Sequence, residues 1–170
     1  MTGYFVRSVR FDELDLFAEV VRRSFITVAE EFGLSVQNCP TNGAFIRTER
    51  LVSDWNRGTR MYCLCCCGDP VGFMELKSKG DGVFELEKLS VLPEHRHKGG
   101  GSLLLEHARK EVVKVGGNRI TIGIIESNAR LKEWYQKHGF VPSGTALFLH
   151  LPFMVGFLEL KIPTLNRLEE

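Results

Sequence analysis

The stretch LEKLSVLPEHRHKGGGSLLLE, residues 86–106, constrains the fold more than any other part of the chain. It enters as an apolar strand, and Pro93 stops that strand. Three glycines, Gly99, Gly100 and Gly101, then open an amphipathic helix with Leu104, Ala108, Val112 and Val115 on one stripe. Glycines there allow a tight strand-to-helix turn and bring backbone amides close to a ligand, and the helix start, with Ser102 in its first turn, adds partial positive charge. Arg96, His97 and Lys98 stand beside the triplet, so the segment suits phosphate oxygens. A bare turn would account for the glycines but not for three basic or protonatable neighbours. A P-loop does not fit, because Lys98 precedes the glycines; the dinucleotide fingerprint fails because Leu104 occupies its third glycine position.

The remaining periodicities predict one domain over residues 1–170, with no repeat or linker to divide it. A strand over 4–9 is followed by a helix capped by Asp12 and ending at Gly33, with a break near Ser24, and by a second helix over 43–55. A hairpin follows: strands over 60–67 and 71–77 around a Gly68-Asp69-Pro70 turn. A second turn over 78–82 leads to a strand over 83–92, and after the glycine-opened helix comes a strand over 120–125. A helix capped by Ser127 or Asn128 reaches His138, and strands around 140–149 and 153–162 close the chain. The order β-α-α-β-β-β-α-β-α-β-β describes an α/β (α+β) fold, a mixed sheet with helices on both faces.

Composition narrows the function. Twenty-two Lys and Arg against 21 Asp and Glu leave a net charge of +1, far from the basic surface of a dedicated nucleic-acid binder. No apolar run reaches the roughly 18 residues of a membrane span, and Arg7, Arg10 and Asp12 interrupt any secretory h-region. Neither a nucleic-acid nor a membrane partner is expected, and the cytoplasm is the expected compartment. Four of five cysteines crowd positions 63, 65, 66 and 67, where strand neighbours are poorly placed to bridge each other. A zinc site built on Cys63 and Cys66 lacks two further ligands at matching spacing, so these cysteines read as reduced and structural, with no metal expected.

Arg96, Gly99 and Gly101 form an Arg-x-x-Gly-x-Gly pattern, preceded by Leu89-Ser90-Val91-Leu92-Pro93-Glu94 and followed by Asn128, Tyr135 and His138-Gly139-Phe140. This set resembles the GNAT superfamily of acyl-CoA N-acyltransferases, well over residues 60–140 and loosely over the terminal strands. The resemblance implies a mostly antiparallel sheet. It also implies acetyl-CoA as cosubstrate, its pyrophosphate held by Arg96, His97, Lys98, Gly99, Gly100, Gly101 and Ser102, and its pantetheine by the Leu89, Ser90 and Val91 backbone and by Asn128. Transfer goes to the amine of a small molecule or peptide by direct attack in a ternary complex. An alternative is a non-catalytic acyl-CoA-binding or sensing module.

In many relatives a tyrosine at the position of Tyr135 acts as general acid, and in some a strand glutamate acts as base. Glu85 and Glu87 share one strand face here, with Glu75 on the neighbouring strand. Each also reads as a solvated or salt-bridged strand residue, and several relatives use only a water chain. Tyr135 also reads as an aromatic beneath the cofactor, and Asn128 as a plain helix cap. The acceptor pocket is expected from residues 11–55 and the last strands. A homodimer through terminal strands, with Phe148, Phe153 and Phe157 as apolar contacts, is open. His95, His107, His138 and His150 read as surface or packing residues.

Overall fold

A computed structural model describes residues 3–163; the ends of the expected 1–170 domain, residues 1–2 and 164–170, lie outside it. Among the described residues the seven expected strands form one sheet: β1 (Tyr4–Ser8), β2 (Arg60–Cys66), β3 (Asp69–Gly80), β4 (Val83–Val91), β5 (Arg119–Ile125), β6 (Val141–Leu147) and β7 (Met154–Lys161). Their order is β1-β2-β3-β4-β5-β7-β6, and only β4 and β5 run parallel. Helices α1 (Leu14–Glu31), α2 (Thr48–Asn56), α3 (Gly100–Lys114) and α4 (Ala129–Lys137) complete the α/β fold. Side-chain alternation along the strands divides them between two faces. Phe73 of β3 stacks on Phe17 of α1 at 5.9 Å between ring centroids. On the other face Leu64 of β2 packs against Gly100 of α3.

Several local readings are corrected by the backbone. Asp12 does not cap α1: it lies in a 3-10 turn, Phe11–Glu13, and pairs with Arg10. The helix runs unbroken through Ser24, whose hydroxyl donates to the Val20 carbonyl at 2.7 Å. The helix expected over 43–55 splits into a 3-10 turn, Gly43–Phe45, and α2, because Ile46 and Arg47 are extended. The first hairpin turns at Cys67-Gly68, both left-handed, whereas Asp69 and Pro70 already pair with Cys66 and Cys65. The second turns at Asp81-Gly82 in the same way. Two left-handed residues in a two-residue loop match the right-handed twist of the flanking strands.

Candidate active site

The central feature is a separation between β4 and β5. They pair only at Val83 with Arg119, Phe84 with Ile120 and Glu85 with Thr121. Beyond that point, among the described residues, each strand keeps an edge with no strand against it, and a cavity of about 1270 Å³ extends along both. Strand edges carry unpaired amides and carbonyls that an extended ligand can engage like an added strand. Leu89, Ser90 and Val91 line this cavity from β4, and Ile122, Gly123 and Ile124 from β5.

A bulge in β4 shapes the cavity wall. Phe73 pairs with Ser90 but Glu75 pairs with Glu87, so Lys88 and Leu89 together oppose Met74. Lys88 takes a left-handed backbone (φ 53°), at a cost of about 1 kcal/mol for a non-glycine residue. Its ammonium lies 2.8 Å from Glu75 Oε2, 3.3 Å from Asp54 Oδ2 and 3.3 Å from Glu87 Oε2. Glu75 and Asp54 are fully buried, and each keeps one carboxylate oxygen without a partner. Burial pushes the Glu75 carboxyl above its ordinary range, with Lys88 opposing it. Burial also works against the charge on Lys88, but Glu75, Glu87 and Asp54 outweigh it and hold the ammonium above the usual lysine value.

Glu85 and Glu87 both line the cavity, as the strand alternation requires. They are coupled. The hydrogen bond to Glu87, then burial and the Glu87 charge, raise Glu85. Burial opposes the charge on Glu87, but the hydrogen bond from Glu85 and the nearby Lys88 and Lys77 outweigh it and bring Glu87 down to about 2. The two carboxylates therefore titrate as a pair, with Glu85 holding a proton to higher pH than Glu87. Tyr135 lies almost wholly buried in the wall, edge-on to Phe140 and Trp134, and burial pushes its phenol well above the ordinary tyrosine range.

The loop from β4 to α3 uses its glycines differently from one another. Gly99 is left-handed (φ 85°), and a Cβ on Gly100 would meet Leu64 Cδ2 at 2.5 Å. The first α-helical bond runs from the Leu103 amide to the Gly99 carbonyl, so the amides of Gly100, Gly101 and Ser102 lie ahead of it. Arg96, His97, Gly99, Gly101, Ser102 and Asn128 line the cavity. Asn128 also caps α4, its side chain accepting from the Leu131 amide at 3.2 Å.

The side chains of Arg96 and Lys98 are both engaged within the protein. Arg96 donates to the Val91 carbonyl, the Thr27 hydroxyl and the Ser24 carbonyl, at 3.1, 2.9 and 2.6 Å, tying the loop to α1. Burial lowers its pKa. Lys98 donates to the Glu94 carbonyl at 2.9 Å, and neither it nor Gly100 lines the cavity.

Facing walls of the cavity come from the regions expected to form an acceptor pocket. Phe25 and Val28 of α1, the loop at Cys39 and Phe45 stand on one side, and Leu151 and Phe153 on the other. Together with Ile125 they pack as one apolar cluster that bridges the two sides. Phe157 also lines the cavity, so of the three aromatics named for a dimer contact only Phe148 is exposed. The cysteine-rich strand takes no part. Cys63 and Cys65 are core residues, and burial pushes the Cys63 thiol up to about 12. Among the described residues no group of three His, Cys, Asp or Glu stands close enough to hold a metal.

Sequence reasoning missed Lys88 and Trp134 and read His138 as a surface or packing residue. Lys88 carried a signal, because a lysine on the core-facing phase of β4 breaks the alternation and marks a bulge.

Comparison with known proteins agrees with this geometry. Residues 30–140 match the model of the Acetyltransferase (GNAT) family. Uncharacterized N-acetyltransferases of Mycobacterium tuberculosis and Mycobacterium bovis are 31% identical over 81 residues, covering 48% of this chain and 52% of theirs. The chain thus spans about half the length of the curated relatives it matches. The PaiA N-acetyltransferase of Thermoplasma acidophilum, solved with coenzyme A, superposes with a TM-score of 0.79 at 23% identity over 94% of this chain and 99% of its own. The ribosomal-protein-S18-alanine N-acetyltransferase of Escherichia coli does so with a TM-score of 0.76 at 17% identity, over 98% and 99%. The chain belongs to the GNAT acetyltransferase family.

Proposed function

We propose that this chain, as one domain over residues 1–170, is an N-acetyltransferase that moves an acetyl group from acetyl-CoA to a primary amine by direct attack in a ternary complex. The observation that carries this reading is the cavity itself. Its β4 edge runs from the Glu85–Glu87 pair, through the bulge at Lys88, to the glycine-opened start of α3. The coenzyme A complex of the Thermoplasma relative, which shares the fold, supports the choice of cosubstrate.

Acetyl-CoA supplies an acetyl group activated as a thioester. The amides of Gly101 and Ser102 face its pyrophosphate, and the free edge of β4, where the Leu89 and Val91 amides point away from β3, pairs with its pantetheine arm and donates to the thioester oxygen as that oxygen gains charge. An amine attacks only as the free base, so a group must hold the proton it gives up. Glu85, raised by its partner, serves that role together with Glu87. Tyr135 keeps its proton at neutral pH and can hand it to the departing thiolate. Arg96 acts on the cofactor loop through α1, and Lys98 through the loop backbone.

The bridged apolar walls favour an acceptor amine that carries an apolar group over a bare polyamine. A cytosolic setting fits the free thiols, and no helix among the described residues is long and apolar enough to cross a membrane. A homodimer would use Leu147, Phe148 and Leu149, which are exposed; elution at the monomer mass would contradict it.

Thiol release from acetyl-CoA, followed with a panel of hydrophobic amines, polyamines and peptide N-termini, tests the reading. Amine-dependent release supports it. Protection of the fold by acetyl-CoA with no amine-dependent release would favour the non-catalytic binding module.

A further inference from the structure

Ser102 lies in the first turn of α3 and lines the cavity, and His138 caps the C-terminal end of α4 behind it. The Ser102 hydroxyl is 2.9 Å from His138 Nε2, and His138 Nδ1 is 2.8 Å from the Trp134 carbonyl. A carbonyl only accepts, so Nδ1 carries the hydrogen. With the ring neutral, Nε2 is then an acceptor and Ser102 must donate its only hydrogen to it. In that state the hydroxyl offers the cavity lone pairs alone, which repel a phosphate oxygen. A proton on Nε2 reverses the bond. The imidazolium donates to Oγ, the hydroxyl hydrogen is free to point at an anion, and a positive charge stands one hydroxyl away. The carbonyls at the α4 C-terminus favour a cation at this cap.

We propose that His138 is a positioning residue for the cosubstrate: it turns the Ser102 hydroxyl toward a phosphate of coenzyme A by taking up a proton at Nε2 when that phosphate binds. The inference rests on the reading that this cavity takes acetyl-CoA. The charged and titratable groups on the surrounding elements are Glu106, His107, Arg109, Lys110, Glu111 and Lys114 of α3, Arg130, Lys132, Glu133 and Lys137 of α4, and His97 and Lys98 of the loop. The Arg109 guanidinium donates to the His138 carbonyl, and Lys137 pairs with Glu133 at 3.1 Å. Among the described residues no carboxylate is hydrogen-bonded to the His138 ring, so the anion that would face an imidazolium is the ligand's phosphate.

Calorimetric titration with coenzyme A, in two buffers of different protonation enthalpy, measures the proton uptake. Wild type and His97→Gln are expected to take up close to one proton more than Ser102→Ala and His138→Gln, and pantetheine, which has no phosphate, to cause no uptake. Affinity for coenzyme A in wild type is expected to rise as pH falls, by at most about tenfold per pH unit relative to the two variants. The ¹⁵N resonance of His138 Nε2 is expected to move to the imidazolium position on saturation. Equal uptake in wild type and both variants, or its loss in His97→Gln instead, would overturn the proposal. Wild type that binds no coenzyme A would overturn the cosubstrate reading itself.

Discussion

Lys88 sets its ammonium 2.8 Å from one carboxylate oxygen of Glu75, and the two are joined through a β-bulge that puts Lys88 out of the strand's alternation. Asp54 of α2 closes on the same ammonium at 3.3 Å. The charge cluster therefore pins α2 to the wall of the β4–β5 cavity, and the left-handed backbone at Lys88 is held by ion pairs within the fold.

Lys88→Met is expected to destabilise the fold by about 3 kcal/mol, because it leaves two buried carboxylates without their common partner. For a chain of this length that is a fall in Tm of about 6–12 °C. Adding Glu75→Gln should recover part of the loss, since the second change removes one of the stranded charges. Additive losses in thermal melting would show that the two residues are not coupled.

The acid limb of kcat/KM is expected to lie above the ordinary carboxylate range, because Glu85 is raised and must lose its proton to act as base. The hydrogen bond to Glu87 is the largest cause of that rise. Glu87→Gln should therefore move the limb to lower pH, measured with one acceptor throughout. A limb that stays in place would remove the pair from proton transfer.

Tyr135→Phe should lower kcat by about 10²-fold while the Kd for coenzyme A is unchanged, the pattern of a lost general acid. Loss of cofactor affinity with an unchanged kcat would mark Tyr135 as packing beneath the ligand.

Arg96→Met is expected to lower Tm even without ligand, since the guanidinium ties α1 to the end of β4 by two donated hydrogen bonds to Ser24 and Thr27 and one to Val91. The salt dependence of coenzyme A binding should keep its slope, because no ionic contact to phosphate is removed. A shallower slope would assign Arg96 to the phosphate after all.

Much of this was legible in the residues, and the failures have physical causes. The element order followed from apolar periods punctuated by glycine and proline, and the glycine-opened helix sat where its spacing put it. Pro70 was misread as a turn residue because proline suits turns as well as strand starts, whereas Cys67 took up the left-handed position through hairpin twist. The direction of the Arg96 side chain depends on Ser24 and Thr27, about 70 residues away, and the Ser102–His138 contact joins two helices 36 residues apart. Pairing that stops at Glu85 and Thr121 is likewise a tertiary fact with no local signature.

The most direct test of the central claim is amide hydrogen exchange with and without coenzyme A. Protection is predicted at Leu89 and Val91, whose amides face the free edge of β4, and at Gly101 and Ser102 at the start of α3, with little change in β1 and β2. Saturating coenzyme A that leaves these two segments unprotected would contradict the assignment of the β4–β5 cavity as the cosubstrate site.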